Sequence, residues 1–206
     1  MSNHPPQNLT VATTGASGAL FLRHFLLAVE RDERVKTVNF VASESALRVI
    51  AEEIGIEGRD KLVDRLLGKA SAKIQQQSNS NIGANIASGS YLADGMVVLP
   101  CSAGTLSRIA NGDASHLIER AADVCLKERR PLVLVVRETP LTLIDLENMV
   151  GVTRAGAIVL PAMPAFHNRP KTVDEMVNHV VGKVLDVLGV GHDLVPRWDG
   201  QPNSPP

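Results

Sequence analysis

The stretch DGMVVLPCSAGT (residues 94–105) decides the fold. Its apolar residues run without a break from Met96 to Cys101 instead of alternating with polar ones. An alternating strand has one wet face, whereas a continuous apolar strand is covered on both. The stretches NLTVATTG (8–15), KTVNFVAS (36–43), PLVLVVRET (131–139) and GAIVLPAM (156–163) read the same way. Helical patterns separate them, expected over about 18–31 and 44–54. The best-defined helix is the last. Val173, Met176, Val177, Val180, Val181, Val184, Leu185 and Leu188 follow the spacing of one wide helical face. Thr172 suits its N-cap, Glu175 completes a capping box, and Gly189 is the stop. Covered strands separated by helices imply a parallel sheet between two helical layers. The expected fold is a single-domain, Rossmann-like, three-layer αβα sandwich with a mostly parallel sheet. Residues 55–90 are the least regular, with QQQSNSN (75–81) read as a loop and a short strand near Lys73–Ile74. The polar, proline-rich ends MSNHPPQN and DGQPNSPP read as disordered tails. That places the domain over 9–190, between a tail at 1–8 and a C-terminal extension at 191–206.

Composition narrows the class. A chain of 206 residues with 44% hydrophobic but only 3% aromatic side chains must build an aliphatic core. With 21 basic and 22 acidic side chains, the net charge of −1 argues against nucleic acid as a partner. Cys101 and Cys125 make no CxxC pair and no disulfide framework, which fits a reducing, cytoplasmic setting. No apolar run reaches the ~18 residues of a membrane span. The first residues lack the basic and apolar regions of a secretory signal. The histidines show no metal-ligand spacing, so no metal is expected.

An open parallel sheet binds ligands beyond the C-terminal ends of its strands. Those ends carry Thr14-Gly15-Ala16-Ser17-Gly18, Ser43, Cys101-Ser102-Ala103-Gly104-Thr105, Arg137-Glu138-Thr139 and Pro164-Ala165-Phe166-His167. Hydroxyls, glycines and a guanidinium at helix starts suit a phosphate-bearing cofactor. Singly each is weak. GASG lacks the GxGxxG spacing and equally suits a plain tight turn. It is not the GxSxG nucleophile elbow either. Ser102 and Thr105 alone favour helix capping, and Glu138 equally suits an ion pair with Arg137. Arg120 and Lys127 lie seven residues apart on a predicted helix, about 20° apart around its axis, where a solvated charged face is the default. Lys183 at the edge of the last apolar stripe suits a snorkelling lysine. Trp198, in LVPRW, should pack on its own domain or on a neighbouring subunit.

The chain resembles the UbiX-type flavin prenyltransferases over roughly Leu9 to Trp198. The likeness is densest in PCSAGTLSRIANG, LIERAADVCLKERRPLVLVVRETPL, LENM and LVPRW. The resemblance implies a metal-independent enzyme that joins the five-carbon unit of dimethylallyl monophosphate to reduced FMN. Phosphate leaves, and prenylated FMN serves a separate decarboxylase, most commonly in ubiquinone synthesis. It also implies a homododecamer with sites at subunit junctions. Carried over by position, Gly15, Ala16, Ser17, Ser43, Ser102, Ala103, Gly104, Thr105 and Arg137 hold FMN. Arg120, Lys127, Glu138 and Lys183 surround the dimethylallyl phosphate, and Trp198 reaches a neighbour's site. The cations neutralise the leaving phosphate, and Glu138 serves as general acid. Glu53 works with Ser17 in proton transfer. It lies ten residues past Ser43, ~15 Å along a helix, so it is expected to act across an interface. The chain departs from the family at His167, usually Tyr, at the phosphate contact that the resemblance implies. It departs also at Phe21 and Leu22, usually Tyr and Gly, and at Asp145, usually His. Two alternatives stand beside this reading. One is an FMN-binding paralogue without prenyl transfer. The other is a flavoenzyme like phosphopantothenoylcysteine decarboxylase, disfavoured because SAGT and Pro161-Ala162-Met163-Pro164 lack that group's Asn residues.

Overall fold

The structure is a computed structural model and describes residues 5–197. Trp198 therefore lies outside the described residues. Six strands form one sheet in the order β3-β2-β1-β4-β5-β6, every neighbouring pair parallel. They are β1 (Asn8–Thr13), β2 (Thr37–Ala42), β3 (Ile74–Ser78), β4 (Gly95–Cys101), β5 (Leu132–Val136) and β6 (Ile158–Val159). The helices are α1 (Ala19–Arg31), α2 (Glu44–Ile54), α3 (Leu62–Leu67), α4 (Ala103–Ala110), α5 (Leu117–Lys127), α6 (Leu143–Ala155) and α7 (Val173–Leu188). This is the expected three-layer sandwich. The chain winds outward from β1 to β3, then crosses to β4 and winds the other way. The strand order thus reverses between β1 and β4, where such sheets open a ligand crevice.

The continuous runs behave as their composition requires. Every residue of β4 and β5 is buried. Leu99, Val133 and Val135 face the layer of α1 and α7, while Val98, Leu134 and Val136 face that of α4 and α5. Leu22, at a family glycine position, is fully buried in the first of these cores. Among the described residues no helix is long and apolar enough to cross a membrane.

Four expectations need correction. Gln75, Gln76 and Gln77 are not loop but the body of β3, in register with Asn39, Phe40 and Val41. An edge strand tolerates polar side chains, and Gln77 donates to Asn39 and Asn85 at 2.7 and 2.8 Å. Within the irregular stretch, α3 buries Leu62, Val63, Leu66 and Leu67 in one turn and a half, too short to show a period. The apolar stripe of α7 starts later than read, since Val173 is 62% exposed. At the N-terminus Pro6 is buried, and the Gln7 and Asn8 amides donate to Asp94 at 2.7 and 2.8 Å. The end of the stretch read as tail is thus tied to the domain.

Candidate functional site

The crevice at the strand-order reversal is laced together by short contacts. Thr14, buried just past β1, donates from Oγ1 to the Pro100 carbonyl (2.9 Å) and accepts from the Ser102 amide (2.8 Å). The Ser43 amide donates to the Thr13 carbonyl and the Arg137 amide to the Cys101 carbonyl. Four strand ends therefore converge on one edge. Gly15 lies so close to α2 that a Cβ there would stand 2.5 Å from Ser45 Oγ and 2.6 Å from Ser45 Cβ. Gly18 has φ +128°, a conformation that favours glycine. So the glycines of GASG serve a close approach and a turn. Ser43 Oγ accepts from the Ala46 amide at 3.1 Å, and Ser102 Oγ from the Thr105 amide at 3.4 Å. Both hydroxyls cap helices, and Ser102 also donates to Thr105 Oγ1 at 3.2 Å. Gly104, in the first turn of α4, has nothing within 4 Å of a notional Cβ, so the backbone there is open to a ligand.

Glu53 corrects an expectation. It is indeed far along α2 from Ser43, but α2 runs beside the 15–18 turn, so its far end meets the start of α1. The Glu53 carboxylate accepts from the Gly18 amide at 2.9 Å and the Ala19 amide at 2.7 Å, within one chain. No side chain of α1 caps that helix, and Glu53 supplies the missing acceptor. Burial acts to raise the Glu53 carboxyl. Hydrogen bonds from Ser17, Ala19 and Gly18, with the charge of Arg137, outweigh it and hold the group below the ordinary carboxylate range. Ser17, Glu53 and Arg137 thus share one electrostatic neighbourhood. Arg137 is half-buried, and its Nε is buried with no hydrogen-bond partner. A buried guanidinium N–H without an acceptor is costly unless a ligand supplies one. The donor set around it, with an open helix start and close-packed glycines, fits an anionic, planar cofactor such as FMN.

The remaining candidates lie elsewhere. Glu138 is exposed, and its Oε1 accepts from the Thr139 amide at 3.1 Å. The helix α5 runs antiparallel to the strands. Its first amide, Leu117, donates to Asn79 just past β3, while Arg130 beyond its end donates to Tyr91 and Gly89, ahead of β4. Lys127, exposed in its last turn, is therefore at the opposite edge of the sheet from Arg137. Arg120 is held on the Ala87 carbonyl (3.2 Å) and paired with Asp123 (3.1 Å). A single chain does not bring Lys127 to Ser17.

His167 and Lys183 do meet, along a cavity of about 370 Å³ between the 160–172 loop, α7 and residues 192–197. The His167 ring stands edge-on to His179, centroids 5.8 Å apart at 84°. Lys183 Nζ is 3.8 Å from Asp186. Two site residues went unread: Ser45 and His179. The spacing of His179 four residues before Lys183, one turn below it on the same face, was the available signal. Asp145, at a family histidine position, completes a capping box with Thr142.

Comparison with known proteins agrees with this geometry. The flavoprotein family matches residues 1–185. The flavin prenyltransferase UbiX of Alkalihalophilus pseudofirmus is 44% identical over 200 residues, covering 96% of this chain and 99% of that one. The crystal structure of AnUbiX in complex with FMN and dimethylallyl pyrophosphate superposes with a TM-score of 0.85 at 38% identity, covering 95% of this chain and 99% of that one. A dodecameric FMN-dependent UbiX-like decarboxylase from Escherichia coli O157:H7 does so with 0.85 at 42% identity, covering 94% and 100%. The chain belongs to the flavoprotein family, among the UbiX flavin prenyltransferases.

Proposed function

We propose that this chain transfers the dimethylallyl group of dimethylallyl monophosphate to reduced FMN, releasing phosphate and prenylated FMN for a separate decarboxylase. The observation that carries it is the unpartnered Arg137 Nε in the neighbourhood of Ser17 and the Glu53 carboxyl, at the strand-order reversal. The bound flavin supplies the ring atoms that take the five-carbon unit. The protein's part is to bind, orient and move protons. Gly15, Ala16 and the start of α4 offer backbone at close range, and Arg137 offers the buried donor. Glu53, held below the ordinary carboxylate range, accepts a hydrogen bond from the Ser17 hydroxyl, and a Ser17 Oγ lone pair would then be free to take a proton from the bound flavin. Positive charge from Lys183, with a ring N–H donor from His167, favours departure of the phosphate. Glu138 stands as the acid that protonates it.

Lys127 cannot join that set from its own chain, and Arg120 is already engaged with Ala87 and Asp123; in this reading a neighbouring subunit supplies both. The assembly proposed is a homododecamer in the cytoplasm, with Trp198 also acting at a neighbour's site. The resemblance supports the shared sites, a UbiX-like relative is dodecameric, and two cysteines without a disulfide framework suit the cytoplasm.

The test is an anaerobic incubation with reduced FMN and dimethylallyl monophosphate, followed by mass spectrometry of the flavin. A gain of one five-carbon unit is expected. Unchanged FMN with both the monophosphate and the diphosphate would overturn the reading and favour a non-catalytic flavin-binding role.

A further inference from the structure

The cavity behind His167 is built for an anion whose binding depends on protons. Its lining holds His167, His179, Lys183, His192 and Arg197 against a single carboxylate, Asp186. That carboxylate is already engaged three times: by Arg197 (2.7 Å), by His192 Nε2 (3.0 Å) and, more loosely, by Lys183 (3.8 Å). Next to it, a second hollow brings Arg169, Lys171 and Glu175 against His179. Glu175 is committed to the backbone of Lys171 and Thr172 as part of the α7 capping box. Among the described residues no free carboxylate therefore faces the two edge-on imidazoles. His179 Nδ1 is buried without a hydrogen-bond partner.

We infer that His167 and His179 form a proton-sharing pair, and that the cavity takes up a phosphate-type dianion together with about one proton. The inference rests on the reading that His167 and Lys183 hold the donor's phosphate. Two imidazoles at 5.8 Å beside an ammonium resist carrying two protons at once. Burial, then His167 and then Lys183, push the His179 group below the ordinary histidine value. A dianion in the cavity reverses the local field. Opposite charge at short range favours the protonated imidazole, which then donates to the anion. Packing alone also explains an edge-on aromatic pair, but it predicts no proton uptake. His179 is in this view a specificity-determining residue. It makes donor binding tighter, and phosphate release slower, as pH falls.

Sulfate is the probe, because it stays a dianion across the working range and any linked proton belongs to the protein. Sulfate binding to the FMN-loaded protein is measured by calorimetry in buffers of different ionisation enthalpy. About one proton taken up per sulfate is expected near neutral pH, with affinity falling toward tenfold per pH unit on the alkaline side. His179→Phe keeps the aromatic edge and should cut the uptake by half or more. His179→Gln serves as a second variant, with bound flavin per chain as the check on folding. His167→Tyr combined with His179→Phe should make sulfate affinity independent of pH. Absence of sulfate binding, binding without proton uptake, or uptake unchanged in the His179 variants would each overturn the inference. The last would move the proton to His192. Proton-coupled sulfate binding without prenyl transfer would sink only the proposed function. Prenyl transfer with proton-free sulfate binding would sink only this inference.

Discussion

The helices α6 and α7 begin and end alike but bury different amounts of themselves. Each opens with a threonine capping box, Thr142 with Asp145 and Thr172 with Glu175, and each stops at a left-handed glycine, Gly156 and Gly189. Beyond that they diverge. Seven residues of α7 are buried against α1 and the sheet, whereas Val152 alone is buried in α6. On α6, Leu143, Ile144, Leu146 and Val150 are 70, 68, 45 and 48% exposed. Caps determine where a helix starts, and the angular pattern of its apolar residues determines what covers it. A helix with apolar groups spread around it is under-covered by its own chain, and such exposed patches mark association surfaces. The homo-oligomer proposed above would cover α6.

The largest test of the contrast is Leu185→Ala in α7. It should cost about 2–5 kcal/mol in denaturant unfolding, because the side chain is fully buried. Next, Ile144→Asp should leave secondary structure and flavin binding in place while lowering the assembled mass seen by sedimentation. An unchanged mass would break the comparison. Smaller still, Thr172→Ala and Thr142→Ala should each cost about 1 kcal/mol, since the two caps make the same bonds. A large inequality between them would show that packing, not capping, sets the cost. Smallest is Glu53→Gln, which removes the charge of the external cap on α1. The folded Glu53 group lies below its ordinary value, so its contribution is present above that value and disappears as pH falls through the folded one. Wild type and variant should therefore differ modestly in thermal midpoint at pH 7 and converge as acidification protonates the carboxyl.

The contrast also explains what could be read from the residues alone. β1, β2, β4 and β5 were legible because both faces are buried, and α7 because its stripe meets one core. α6 went unread because its apolar residues follow no single face. β3 was read too short, as a strand near Lys73–Ile74, because an edge strand can be glutamine-rich. At the site, the small and hydroxyl residues after β1 and β4 announced the crevice. The hydroxyls of Ser43 and Ser102 proved to be engaged as caps, so those motifs were structural as well as suggestive. Glu53 was misplaced because distance along α2 says nothing about what its far end packs against. His179 was missed because its spacing from Lys183 is a weak signal until His167 is folded over the same face.

The position of Lys127 has a genetic consequence. Arg137 and Lys127 stand at opposite edges of one sheet, so each proposed site draws on two different copies of the chain. Two inactive variants, one lacking Arg137 and the other Lys127, should then rescue each other when co-expressed. Some sites in a mixed particle would draw both intact groups from different parents. Recovered activity in the mixture, with none in either parent, would be complementation within a single gene.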